Sequence, residues 1–184
     1  FCAPNFAYLM AHDAREALLS VPGVREARVF LEDHHTADEI NAGMAGGLGF
    51  EGTFSSFEET GDDLDGLRDI FRRKAFVSKQ EKLCRALLAD GYTAAELAGM
   101  RLEDVPSSVA KEKYLSRREE LGLDVSADAP FVMDPDGRQI PEDVVVQHLR
   151  FARVTRLSIE ANAGFCRGVL AARHGISDPE EESA

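Results

Sequence analysis

Between Asn5 and Val21 the apolar residues Phe6, Leu9, Met10, Ala14, Ala17, Leu18 and Val21 return every three or four positions, while His12, Arg15 and Glu16 take the other side. That spacing fits 3.6 residues per turn and predicts an amphipathic helix. Pro22-Gly23 stops it, and the alternation of Ala27, Val29 and Leu31 against Arg28 and Phe30 then predicts a strand. A lone strand leaves two unpaired edges, so this helix–turn–strand unit needs neighbours to become a domain.

After a short helical stretch (Ala37–Met44) comes Gly- and Phe-containing sequence, Gly46-Gly47-Leu48-Gly49 through Phe54-Ser55-Ser56-Phe57. It reads as an irregular linker whose Phe50, Phe54 and Phe57 dock on a surface. From Leu64 onward the pattern is mostly helical. Ser78-x-x-Glu81 and Thr93-x-x-Glu96 have the form of capping boxes, marking helices near 79–90 and 94–100. A further helix is expected over Val109–Leu121, stopped by Gly122. Phe131-Val132-Met133, Asp134-Pro135-Asp136-Gly137 and Gln139-Ile140 predict a small hairpin. Pro141 suits the first turn of a last helix. There Val145, Leu149, Ala152, Arg156, Ile159, Ala163, Cys166 and Leu170 form one continuous seam. The tail from Ser177 is acidic and is expected to be disordered.

The expected fold class is therefore α+β: a partial small α/β domain over 1–45, a linker over 46–61, a mainly helical domain with a short hairpin over 62–176, and a tail over 177–184. The net charge of −12 is unevenly spread: residues 1–67 hold 3 basic against 13 acidic side chains, residues 68–175 hold 18 against 16. An acidic front half repels phosphate backbones, which disfavours nucleic acid. A helix-turn-helix DNA-binding regulator built on 79–121 is the weakest of three readings. No run approaches the ~20 apolar residues of a membrane span. Three scattered cysteines, Cys2, Cys84 and Cys166, fit a reducing, cytoplasmic compartment better than a disulfide scaffold. The chain opens at Phe1, so either a leading segment was removed or the sequence starts inside a longer product.

No nucleophile elbow, phosphate-cradling loop or His-Glu-x-x-His sequence is present, so no enzyme is expected. The densest set of ligand-type side chains is Asp33-His34-His35 with Asp38 and Glu39. Imidazole and carboxylate together suit iron, manganese or zinc. A polar, solvated helix-entry loop capped by Thr36 explains the same residues without metal. Cys2 precedes a helix N-terminus, where the dipole favours thiolate. Asp13 falls toward the apolar side of the first helix and is expected at its edge. Arg156 is expected to pair with Glu160, and Cys84 and Cys166 are expected in the core.

Phe1-Cys2-Ala3-Pro4, Asp13-Ala14-Arg15-Glu16-Ala17-Leu18, Val21-Pro22-Gly23-Val24 and Ala27-Arg28-Val29-Phe30-Leu31, in that order, resemble the second half of the small domain of iron–sulfur (metal–sulfur) cluster assembly factors, including the phenylacetate-degradation D-like proteins. The resemblance covers residues 1–32. It implies an accessory factor that transiently holds iron or an iron–sulfur cluster and delivers it to a client metalloenzyme, with Cys2 as the thiol contact and Asp33, His34 and His35 as further candidate metal contacts. The partners implied are the client or an assembly-machinery protein, and a polypeptide that supplies the missing strands; a homo-oligomer stays open. The alternative is a non-catalytic subunit of a metalloenzyme complex.

Overall fold

In the computed structural model, which describes residues 3–54 and 64–175, the first periodic stretch forms helix α1 over Pro4–Leu19. Pro4 stands in the first turn, where its missing N–H costs no intrahelical bond. The buried face is Ala7, Tyr8, Leu9 and Ala11, whereas Met10, Leu18 and Val21 of the expected stripe are exposed. The chain divides into two compact units, Phe1–Arg68 and Asp69–Ala184.

In the first unit α2 (Ala37–Gly46) ends at a left-handed Gly47 and α3 (Gly49–Thr53) follows at once. Phe50 and Phe54, expected in an irregular linker, are instead core: with Tyr8 they form a triangle of edge-on rings, centroids 5.3–5.7 Å apart. Ile40 and Ala7 complete that cluster. Phe57 lies outside the described residues.

The second unit is built on α4 (Leu64–Ala89, which starts within the first), α5 (Ala94–Gly99), α6 (Val109–Glu120) and α7 (Glu142–His174). Thr93 and Glu96 form the expected reciprocal cap, and Ser108 caps α6. Ser78 caps nothing; it is buried inside α4, which runs unbroken past it. Pro141 stands one residue before α7, as its N-cap. The seam of α7 is buried only over its first half, through Val145, Ala152 and Arg156. Beyond that Ile159, Phe165, Val169 and Leu170 are exposed.

The α+β expectation is overturned. Among the described residues 66% are helix and 2% strand, and no sheet forms. Among the described residues the expected strand Ala27–Leu31 has no second strand beside it, so no ladder closes. The expected hairpin shrinks to one bridge, Met133 to Gln139, with Asp134 N–H donating to Arg138 O at 2.9 Å. Ile140 N–H also reaches Val132 O at 3.0 Å, but both backbone groups of Met133 are claimed by a side chain. Gln80 of α4 accepts from Met133 N–H and donates to Met133 O, both at 3.0 Å. Its second amide hydrogen goes to His148 Nε2 at 3.0 Å, which makes that imidazole a neutral acceptor. The Tyr114 hydroxyl stands 2.9 Å from Gln80 Oε1 and 2.8 Å from Phe131 O, and can donate to either.

Two predictions follow from this packing. A Cβ on Gly43 would meet Thr53 Oγ1 at 2.0 Å and Thr53 Cβ at 2.7 Å, and the branched Thr53 side chain is itself bonded to Gly49 O. Gly43→Ala should destabilise the first unit by about 1–3 kcal/mol in denaturant melts; an unchanged midpoint would refute the close approach of α2 and α3. Burial pushes the pKa of His148 below its ordinary 6.5, against an upward pull from Asp134. The unfolded chain then takes up that proton at higher pH than the folded one. Stability present above about pH 6.5 is accordingly lost as pH falls through the lower folded value. Thermal melts between about pH 7.5 and about pH 5.5 should show this loss, reduced in His148→Gln, which keeps an acceptor but does not titrate.

Candidate functional site

The segment after the Pro-Gly turn leads to the histidines. Gly23 takes φ +93°, which only glycine adopts without strain. From Val24 to Glu32 the chain has neither helix nor bridge. Its side chains nevertheless alternate, with Ala27, Val29 and Leu31 half-buried and Arg28 and Phe30 exposed, Phe30 by 69%. This is the two-residue period of a strand. Among the described residues Arg25–Phe30 make no backbone hydrogen bond. Only the end is held: Leu31 N–H donates to Asn41 Oδ1 at 2.9 Å, and Asn41 Nδ2 donates to Leu31 O at 3.0 Å. An amide on α2 thus takes one step of a ladder.

Asp33 then turns the chain at φ +58°, a conformation short polar side chains tolerate better than most. The rings of His34 and His35 lie together, centroids 4.4 Å apart and tilted by 32°. Neighbouring residues on a strand would point apart, but these two sit in the turn after it. His34 Nδ1 accepts Thr36 N–H at 3.2 Å and lies 2.9 Å from Thr36 Oγ1. His34 is therefore part of the entry to α2. Asp38 and Glu39 occupy the first turn of α2, where the dipole favours them, and are exposed.

The structure brings His34 and His35 together, but no group of three or more His, Cys, Asp or Glu side chains suited to a metal ion occurs among the described residues. Cys2 lies outside them. Two imidazoles supply half of a four-coordinate set, so a metal held here would need further donors.

A second polar cluster of this unit surrounds Asp13. Its carboxylate, half exposed as an edge position requires, lies 2.5 Å from Arg68 Nη2, which also approaches His12 Nδ1 at 3.2 Å. The Asp13 bond is the main reason the guanidinium is held above its usual range. Arg68 and Asn41 were not singled out in the sequence, because a polar residue on a helix does not reveal what it will reach. Arg156 pairs with Glu160 as expected and also with the buried Glu81. Cys84 is buried and its thiol pushed up by desolvation, as befits a packing residue. Cys166 is exposed, contrary to expectation, because the part of α7 that carries it extends past the buried half of the seam.

No family model, no curated protein and no solved structure matches this chain. No helix among the described residues is long and apolar enough to cross a membrane.

If Asn41 stands in for a strand, Asn41→Ala should speed hydrogen exchange at the Leu31 amide and cost about 1–3 kcal/mol of local stability. Unchanged exchange at Leu31 would show that the clamp holds nothing.

Proposed function

We propose that this chain is a non-catalytic accessory protein that, once completed by another polypeptide, takes up iron or an iron–sulfur cluster and passes it to a client metalloenzyme. The observation that carries the reading is the segment Val24–Leu31: it alternates like a strand, has no strand beside it among the described residues, and runs directly into a pair of imidazoles. Unpaired strand edges are templates for addition of a strand from elsewhere. The resemblance of residues 1–32 to metal–sulfur cluster assembly factors supports the same assignment. The order it implies, helix then Pro-Gly turn then strand-like segment, is the order in which α1, Gly23 and Val24–Leu31 occur. The iron is cargo in this reading. Cys2 is the thiol contact, and His34 and His35 are nitrogen contacts nearby in sequence.

The alternative, a non-catalytic subunit held permanently in a metalloenzyme complex, is favoured by one feature. The second half of α7 shows apolar side chains on several sides, with Leu157, Phe165, Val169 and Leu170 all exposed. A helix hydrophobic all round is usually buried, and lasting interfaces are the more apolar ones.

Iron analysis after anaerobic purification tests the proposal on wild type, Cys2→Ala and the double variant His34→Ala/His35→Ala. Substoichiometric iron in wild type, reduced severalfold in both variants, is expected. Equal iron in all three removes these residues from any site. A stoichiometric complex whose enzyme keeps full activity with Cys2→Ala favours the subunit reading.

A further inference from the structure

The second unit carries a groove between α4 and α7 that has no part in the iron reading. Its volume is about 360 Å³. From α4 it is lined by Glu81, Cys84, Arg85 and Leu88, and from α7 by Val146, Leu149, Arg150, Arg153 and Arg156. On both helices the lining positions fall at i, i+3, i+4 and i+7, so each contributes one continuous stripe about two turns long.

The chemistry along the stripes is asymmetric. Leu88 and Val146 leave 39% and 48% of their surface exposed, which gives the groove an apolar bed. Its acid, Glu81, is buried and neutralised by Arg156. Arg85, Arg150 and Arg153 are exposed, and none has an ion pair or side-chain hydrogen bond among the described residues. Three uncompensated guanidinium groups therefore flank an apolar trough in a chain whose net charge is −12. Some arginines of this unit meet acids, Arg73 holding Asp69 and Asp136 and Arg117 holding Glu120, while others, such as Arg72 and Arg167, have no side-chain partner among the described residues; what marks the groove is three such arginines lining one apolar trough.

We propose that this groove receives an acidic amphipathic helix of a partner protein. Apolar side chains of the incoming helix would lie against Leu88, Val146 and Leu149, and its carboxylates would meet Arg85, Arg150 and Arg153. A helix fits because both lining stripes follow helical spacing, and helix-in-groove docking uses anchors at the same spacing. Arginine suits the flanks, since its fork binds carboxylates in two-point contacts and it is enriched at interfaces. Attraction between exposed charges sets the on-rate and the salt dependence, while the apolar bed supplies the desolvation.

The test uses the full chain and a fluorescein-labelled, lactam-stapled peptide of roughly 15 residues, with Leu at i, i+3 and i+7 flanked by Glu. Two control peptides replace all Glu by Gln or all Leu by Ser. Fluorescence anisotropy should show saturable binding of the Leu/Glu peptide that weakens with added salt. Binding should fall about tenfold or more for either control peptide, and for Arg150→Glu/Arg153→Glu, with Arg85→Glu weakening it separately. Arg138→Glu, at the exposed turn after Asp136, should leave it unchanged. These arginines are on the surface, so the variants are expected to melt like wild type, and melts are recorded alongside. Absence of binding by wild type overturns the proposal. So does equal binding of the Gln or Ser peptide, or full binding by the folded charge-reversed variants. None of these outcomes depends on whether the chain carries iron.

Discussion

In both units a side-chain amide reaching from a helix takes the place of a neighbouring β-strand. Gln80 grips both backbone groups of Met133, and Asn41 grips both backbone groups of Leu31. A carboxamide offers an N–H donor and a C=O acceptor at nearly the spacing of a peptide group, so it satisfies one residue of a ladder in full. It cannot satisfy the next one. Each such bond contributes about 1 kcal/mol net, but leaving a buried backbone group unpaired costs about 1–3 kcal/mol. The rest of each fold is arranged around that limit.

In the second unit the limit is met by enclosing the gripped segment. Phe131, Val132 and Met133 are fully or almost fully buried, and Ile140 N–H reaches back to Val132 O at 3.0 Å. Tyr114 and His148 saturate what Gln80 leaves. Arg118 closes the set, donating through Nη2 to Pro130 O at 3.0 Å, with its guanidinium carbon 5.4 Å from the Tyr114 ring centroid. Its Nε and Nη1 have no partner among the described residues, and burial lowers its pKa. The aromatic face opposes part of that cost.

What the sequence disclosed was local. The Thr93–Glu96 cap, the glycines after α5's predecessor and α6, and the helical period of α7 were readable because each depends on residues three or four apart. The strand period at Ala27–Leu31 was readable for the same reason, and the side chains do alternate. Pairing was not readable, because a ladder depends on what lies beside a segment and not on its own pattern. The Ser78–Glu81 motif misled because the acid it needs for a cap is committed to Arg156, 75 residues away. Of the candidate site, the nearness of His34 to His35 was implicit in their adjacency, but their shared orientation was not. It follows from the turn at Asp33 and from the bond that Thr36 N–H makes to His34.

The two units leave different kinds of surface incomplete, and the difference bears on what can complete them. Arg25–Phe30 offer unpaired backbone, which any polypeptide of suitable register can use; selection there must come from the alternate side chains, chiefly Phe30 on one face. The α4–α7 groove offers no free backbone. It discriminates by charge and by apolar spacing, and would reject a neutral helix of the same shape. A backbone edge gives affinity with little specificity, while a charged groove gives the reverse. On the reading proposed above, the two surfaces divide the work: the backbone edge would supply affinity and the groove would supply the choice of partner.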